Sequence, residues 1–91
     1  MKSLHLRITG RVQGVWYRRW TVTTARKLGV NGWVRNRSDG SVEAVFSGPE
    51  DKVDELLARC WQGPDNARVE HIETHLAEPV SEPGFAQRDT L

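Results

Sequence analysis

The spacing of apolar residues changes along this 91-residue chain, and the order of the changes limits the folds it can adopt. Apolar and polar residues alternate in segments 2–9, 30–37, 41–47 and 67–76, as in half-buried β-strands. In residues 18–28, and again after Pro49, apolar residues recur at the three- to four-residue spacing of amphipathic helices. The predicted order of elements is therefore β-α-β-β-α-β.

This order predicts one α+β domain spanning residues 1–91, since the chain is long enough for a single core only. Two helices on one face of an antiparallel sheet give the ferredoxin-like βαββαβ two-layer sandwich. The Ser38-Asp39-Gly40 sequence predicts a hairpin between the second and third strands, because Asp-Gly accepts the positive φ of a tight turn. Residues 85–88 are predicted to add a short edge strand.

A glycine-containing segment, residues 10–18 (GRVQGVWYR), joins the first strand to the first helix. Two glycines in such a crossing allow several main-chain N–H groups to point inward and form a nest for an anion. The positive end of the following helix lies behind the nest, and Arg18 adds a planar guanidinium that suits phosphate oxygens. The hypothesis is a phosphate site made of main-chain amides and one arginine.

The charges are segregated along the chain although the net charge is only +1. Residues 1–37 contain nine Lys or Arg and no acid, whereas all twelve acids lie from Asp39 onward with four bases. Charge runs are usually solvated surfaces, but here the basic part also holds the predicted phosphate site and favours anionic ligands.

Other chemistries have little support in the sequence. His71 and His75 are four residues apart in a predicted strand, about 13 Å, which is too far to share a metal ion. We therefore predict no metal and no other cofactor. The lone Cys60 lies on the apolar stripe of the second helix and is expected to be buried and inert. A single cysteine, no long apolar run and a first strand that starts at once lead us to expect a cytoplasmic protein without a signal peptide.

Two segments resemble the signatures of the acylphosphatase family. Residues 10–18 are similar to the first signature, and residues 32–36 (GWVRN) followed by 39–43 (DGSVE) are similar to the second. The likeness extends from the first strand through the fourth. Tyr17 stands where phenylalanine is commoner in the family, and Trp16 fills a variable position.

The resemblance implies metal-independent hydrolysis of the carboxyl–phosphate bond of acyl phosphates, which yields a carboxylate and inorganic phosphate. It implies that Arg18 binds the phosphoryl group and that Asn36, a neutral amide, orients the attacking water. Main-chain amides complete the implied phosphate site, from Gln13, Gly14, Val15, Trp16, Tyr17 and Arg18. The remaining partner predictions are a small-molecule substrate, a monomeric state and no membrane association.

Several alternatives remain open at this point. Arg18 could pair with an acid at the helix start, and Asn36 could cap the Asp39-Gly40 turn. The same fold could serve as a nucleic-acid-binding module, with Trp33 and Arg35 as a stacking platform on the sheet face opposite the helices. It could also be an accessory domain of a larger carbamoyl-transfer protein, which the short remainder of the chain disfavours.

Overall fold

The computed structural model describes all 91 residues and contains seven regular elements. The predicted order is confirmed, with boundaries that differ from those predicted by one or two residues. The elements are β1 (Lys2–Arg11), α1 (Tyr17–Leu28), β2 (Asn31–Asn36), β3 (Val42–Gly48), α2 (Glu50–Cys60), β4 (Arg68–Leu76) and β5 (Phe85–Gln87).

The strands form one sheet in the order β4-β1-β3-β2-β5. The first four strands in this order pair antiparallel to their neighbours. β1 and β3 are the central strands, as the ferredoxin-like prediction requires. β5 corrects the prediction of an entirely antiparallel sheet, because it pairs parallel to β2 and makes the sheet mixed. The reason is geometric: β4 ends at the end of the sheet where β2 begins, so a chain crossing over that end enters beside β2 in the same direction.

β1 extends past its predicted end at Thr9 because Gly10 lets it follow β4 closely. The pairing of β1 with β4 shifts register between Thr9 and Gly10. Gly10 has φ 120°, and a Cβ there would lie 2.2 Å from the carbonyl oxygen of Arg68. A side chain is therefore excluded, and β1 reaches Arg11 before the loop that leads to α1.

Both helices pack on one face of the sheet, around a single cluster of 17 buried residues. The predicted apolar stripe of α2 consists of Val53, Leu56, Leu57 and Cys60; three of them are buried, and Leu57 packs partly buried against the cluster. Cys60 is fully buried, and burial raises the pKa of its thiol to about 12. The prediction of a buried cysteine is confirmed, and its thiol is protonated at neutral pH.

Glu43 lies on the sheet face opposite the helices, and it is buried there. His5 Nε2 lies 2.6 Å from Glu43 Oε2, and Oε1 accepts hydrogen bonds from Arg35 at 2.7 Å and Arg37 at 3.0 Å. Burial would raise the pKa of this carboxyl, but the three hydrogen bonds outweigh it and lower the pKa to about 2. The cluster joins β1, β2 and β3 close to the end of β2.

Glu43→Gln is expected to lower the free energy of unfolding at pH 7 by roughly 1–3 kcal/mol, because the surrounding bases lose their shared carboxylate. The native pKa lies below the ordinary value of 4.5, so the carboxylate stabilises the fold above pH 4.5 and loses this effect as the pH falls towards 2. Urea denaturation of the unaltered protein and of Glu43→Gln should show a difference in the free energy of unfolding that decreases as the pH falls from 4.5 towards 2. Glu78→Gln removes the same charge at an exposed position and should change little; a pH-independent difference for Glu43→Gln would contradict the prediction.

Candidate active site

The loop between β1 and α1 has the backbone geometry of an anion nest. Gly14 has φ 73°, and Trp16 has φ 66° and ψ 21°, so two left-handed residues lie within three positions. The N–H groups of residues 13–16 donate to no acceptor within the chain. Such alternation turns successive N–H groups towards one concave side, where they can bind an anion.

α1 starts immediately after this loop, and the positive end of its dipole is not neutralised. No acidic residue lies in its first turn, and no side chain caps its N-terminus. The N–H groups of Tyr17 and Arg18 belong to that first turn, where no intrahelical acceptor is available to them. The helix end therefore adds donors and partial positive charge to those of the loop.

A cavity of about 490 Å³ lies at this helix end. It brings together the loop, Arg18 and Asn36, which come from the two signature segments. The residues that line it are Val12, Gln13, Gly14, Trp16, Tyr17, Arg18, Arg19, Asn36 and Gln87.

Arg18 is half-buried in the wall of the cavity and has no protein partner. No carboxylate lies within salt-bridge distance of it, and its guanidinium makes no hydrogen bond within the chain. The alternative in which Arg18 pairs with an acid at the helix start is therefore wrong. Its donors remain available to an anion in the cavity.

Asn36 is the last residue of β2, and its side-chain oxygen is buried without a hydrogen-bond partner. A buried polar atom left without a partner inside the protein is a candidate for binding water or a ligand. The turn-capping alternative is wrong, because the turn is closed by Asp39, whose Oδ1 accepts from Ser41 N at 2.9 Å. Asn36 is thus free to act in the cavity.

The remaining loop side chains hold the main chain in place. Gln13 Nε2 donates to the carbonyl oxygens of Arg37 and Ser41, both at 2.8 Å, which ties the loop to the β2–β3 turn. Val15 is buried and does not line the cavity. Because the Gln13 amide hydrogens are already used and Val15 has no polar side chain, these two residues offer an anion only their main-chain N–H groups.

Tyr17 fills the core behind the loop. The Tyr17 hydroxyl donates to the carbonyl oxygen of Cys60 at 2.5 Å. Burial raises the pKa of this hydroxyl well above its ordinary value. Gly63 makes room for the ring, since a Cβ there would lie 2.7 Å from Tyr17 Cε2. The hydroxyl by which tyrosine differs from the commoner phenylalanine is therefore hydrogen-bonded to the end of α2 inside the core.

Sequence reasoning missed three residues of the cavity wall, namely Val12, Arg19 and Gln87. Gln87 is paired with Val34 through the parallel β5 strand. The chain then continues along β2, where Leu91 N donates to the carbonyl oxygen of Asn36 at 3.1 Å. No pattern in the sequence indicates this register, so only the structure places the C-terminal segment beside the site.

No group of three or more His, Cys, Asp or Glu side chains is arranged to hold a metal ion. None of the helices is both long and apolar enough to cross a lipid bilayer.

Comparison with known proteins identifies the family of this chain. The sequence model of the Acylphosphatase family matches residues 4–87. The chain is 53% identical to an acylphosphatase of Rhodospirillum rubrum over the whole length of both, and 51% identical to one of Acidiphilium cryptum over 99% of each. It is similar to the crystal structure of the Bacillus subtilis acylphosphatase with a TM-score of 0.91 at 29% identity, over 97% of this chain and 99% of that one. The chain belongs to the acylphosphatase family.

Proposed function

We propose that the cavity at the N-terminus of α1 is the catalytic site. Because the chain belongs to the acylphosphatase family, its reaction is the hydrolysis of acyl phosphates to a carboxylate and inorganic phosphate. The observation that carries the assignment of the site is one cavity that unites unpaired main-chain donors, an arginine without a carboxylate partner and a buried amide oxygen without a hydrogen bond.

In this proposal the phosphoryl group lies against the loop and the start of α1. The N–H groups of residues 13–18 donate to its oxygens, and Arg18 supplies a full positive charge from the side of the helix. Donors that are fixed before the substrate arrives stabilise the charge spread over the phosphoryl oxygens in the transition state without reorganising.

Asn36 orients the attacking water. A water that forms one hydrogen bond with the side-chain amide of Asn36 keeps an oxygen lone pair free to attack phosphorus. The new P–O bond forms as the bond from phosphorus to the acyl oxygen breaks, and the electron pair leaves with the carboxylate. Since carboxylic acids have pKa values near 4, the leaving group needs no general acid, and the water's proton passes to phosphate or solvent. Positioning and charge stabilisation supply the catalysis.

We further propose that the chain works as a single-domain monomer in the cytoplasm, without metal or other cofactor. The single domain is supported by a family match that spans residues 4–87 and by a relative of equal length. A cytoplasmic setting is consistent with the single cysteine, which is buried.

The nucleic-acid alternative has weaker support than the catalytic one. Its proposed platform, Trp33, already has the guanidinium carbons of Arg35 and Arg88 at 4.9 and 4.7 Å from its ring centre. A base would have to displace these cations in order to stack. The substrate class is therefore proposed to be a small acyl phosphate.

The test is an assay of benzoyl phosphate hydrolysis in metal-free buffer, with and without a chelator, using heat-denatured protein to measure spontaneous hydrolysis. We expect full activity with chelator and competitive inhibition by inorganic phosphate. A phosphate monoester should be a much poorer substrate because its leaving group is more basic. Activity that disappears with chelator would contradict the proposed mechanism.

A further inference from the structure

A shallow groove of about 380 Å³ runs along the surface of α1 beside the cavity. The residues that line it are Trp16, Arg19, Trp20 and Thr23. Their spacing of three, four and seven residues places them on one stripe of the helix, about 10 Å long. Trp16 and Arg19 also line the cavity, so the groove adjoins the cavity.

The groove offers flat apolar surfaces that are already held in position. Trp16 is 71% exposed, and its backbone is left-handed, a conformation that bulky residues seldom adopt. The guanidinium carbon of Arg19 lies 5.8 Å from the centre of the Trp16 ring. The Trp20 ring packs against the buried ring of Tyr17, with 5.6 Å between the two ring centres. An exposed indole in a strained backbone conformation at the rim of a site points to a role in binding.

We propose that this groove binds the acyl half of the substrate and that Trp16 makes the enzyme prefer acyl groups with a flat aromatic surface. The inference rests on the proposed function, because a phosphoryl group held at the start of α1 leaves the acyl group to extend into an adjoining depression. The groove shares two lining residues with the cavity. A neighbouring depression beside β5 shares only Gln87 and is lined mainly by charged and polar residues. An aryl group could stack on the Trp16 ring with Arg19 nearby.

The experiment compares kcat/KM for benzoyl phosphate with kcat/KM for acetyl phosphate, which carries the same phosphoryl group on a small acyl group. We expect the ratio to fall about three- to tenfold in Trp16→Asn, mainly through a higher KM for benzoyl phosphate. Asparagine accepts the left-handed backbone, so the loop keeps its conformation. Using the ratio cancels any effect that the substitution has on phosphoryl binding itself.

Two further variants make the result specific. Trp16→Tyr keeps an aromatic ring at the same place. Its ratio of kcat/KM for the two substrates should therefore be close to that of the unaltered protein. Trp61→Asn removes another exposed indole, at the end of α2 and outside the groove, and should leave the ratio unchanged.

Equal losses on both substrates in Trp16→Asn, or a lowered ratio that Trp16→Tyr does not restore, would overturn the inference while leaving the proposed function intact. If the unaltered protein hydrolysed neither substrate, the result would contradict the proposed function itself.

Discussion

Arg18→Ala is expected to reduce kcat/KM for acyl phosphates by about 10³-fold or more, the scale of losing an arginine that stabilises a transferring phosphoryl group. The structure gives the reason: Arg18 lines the cavity, and no carboxylate lies within salt-bridge distance of it. Because no ion pair is lost, the free energy of unfolding should change little. The inhibition constant of inorganic phosphate should rise in parallel, since the same contact holds the product.

Arg18→Lys and Arg11→Ala separate this role from a general effect of positive charge. Lysine keeps the charge but loses the planar pair of donors, so Arg18→Lys should be only partly active. Arg11 is an exposed base at the end of β1, outside the cavity, and Arg11→Ala should retain nearly full activity. Full turnover by a folded Arg18→Ala protein, or an equal loss in Arg11→Ala, would refute the assignment.

The sequence was sufficient to predict the layout of the fold and the location of the candidate site. Alternating and helical spacings depend on which face of each element is buried, and Leu4, Leu6 and Ile8 are buried as their alternation predicts. The pairing order of β1, β3 and β2 follows from the β-α-β-β-α-β order of elements and the ferredoxin-like fold that it predicts. The two signature segments then meet because β1 ends near the last residue of β2, which brings Arg18 and Asn36 to one cavity.

Features set by contacts between distant segments were beyond sequence reasoning. The burial of Glu43 is one of them, because it depends on bases from β1 and from the end of β2. Gln87 enters the cavity wall only because β5 adds to the sheet in parallel beside β2. The groove on α1 was not predicted because a tryptophan can be a core or a boundary residue, and the sequence does not show that Trp16 is exposed while Trp20 packs partly buried against the core.

Asn36→Ala is expected to separate activity from stability. If Asn36 orients the water, its loss leaves the phosphoryl group bound but the nucleophile unaligned, and kcat should fall by about 10²-fold or more. The inhibition constant of inorganic phosphate should stay near its original value, in contrast to Arg18→Ala. The buried side-chain oxygen has no hydrogen-bond partner in the chain, so its removal should not destabilise the fold. Urea denaturation should give an equal or higher free energy of unfolding.

Asn36→Asp and Asn66→Ala complete the design of this test. Aspartate has nearly the same shape, but its charge faces the phosphate dianion, so Asn36→Asp should weaken phosphate inhibition as well as lower kcat. Asn66→Ala removes an exposed asparagine from the loop after α2 and should leave both quantities unchanged. A folded Asn36→Ala protein with unaltered kcat would show that the water is oriented by another group. A large loss of stability would show instead that the amide holds β2 in place, which its unpaired oxygen argues against.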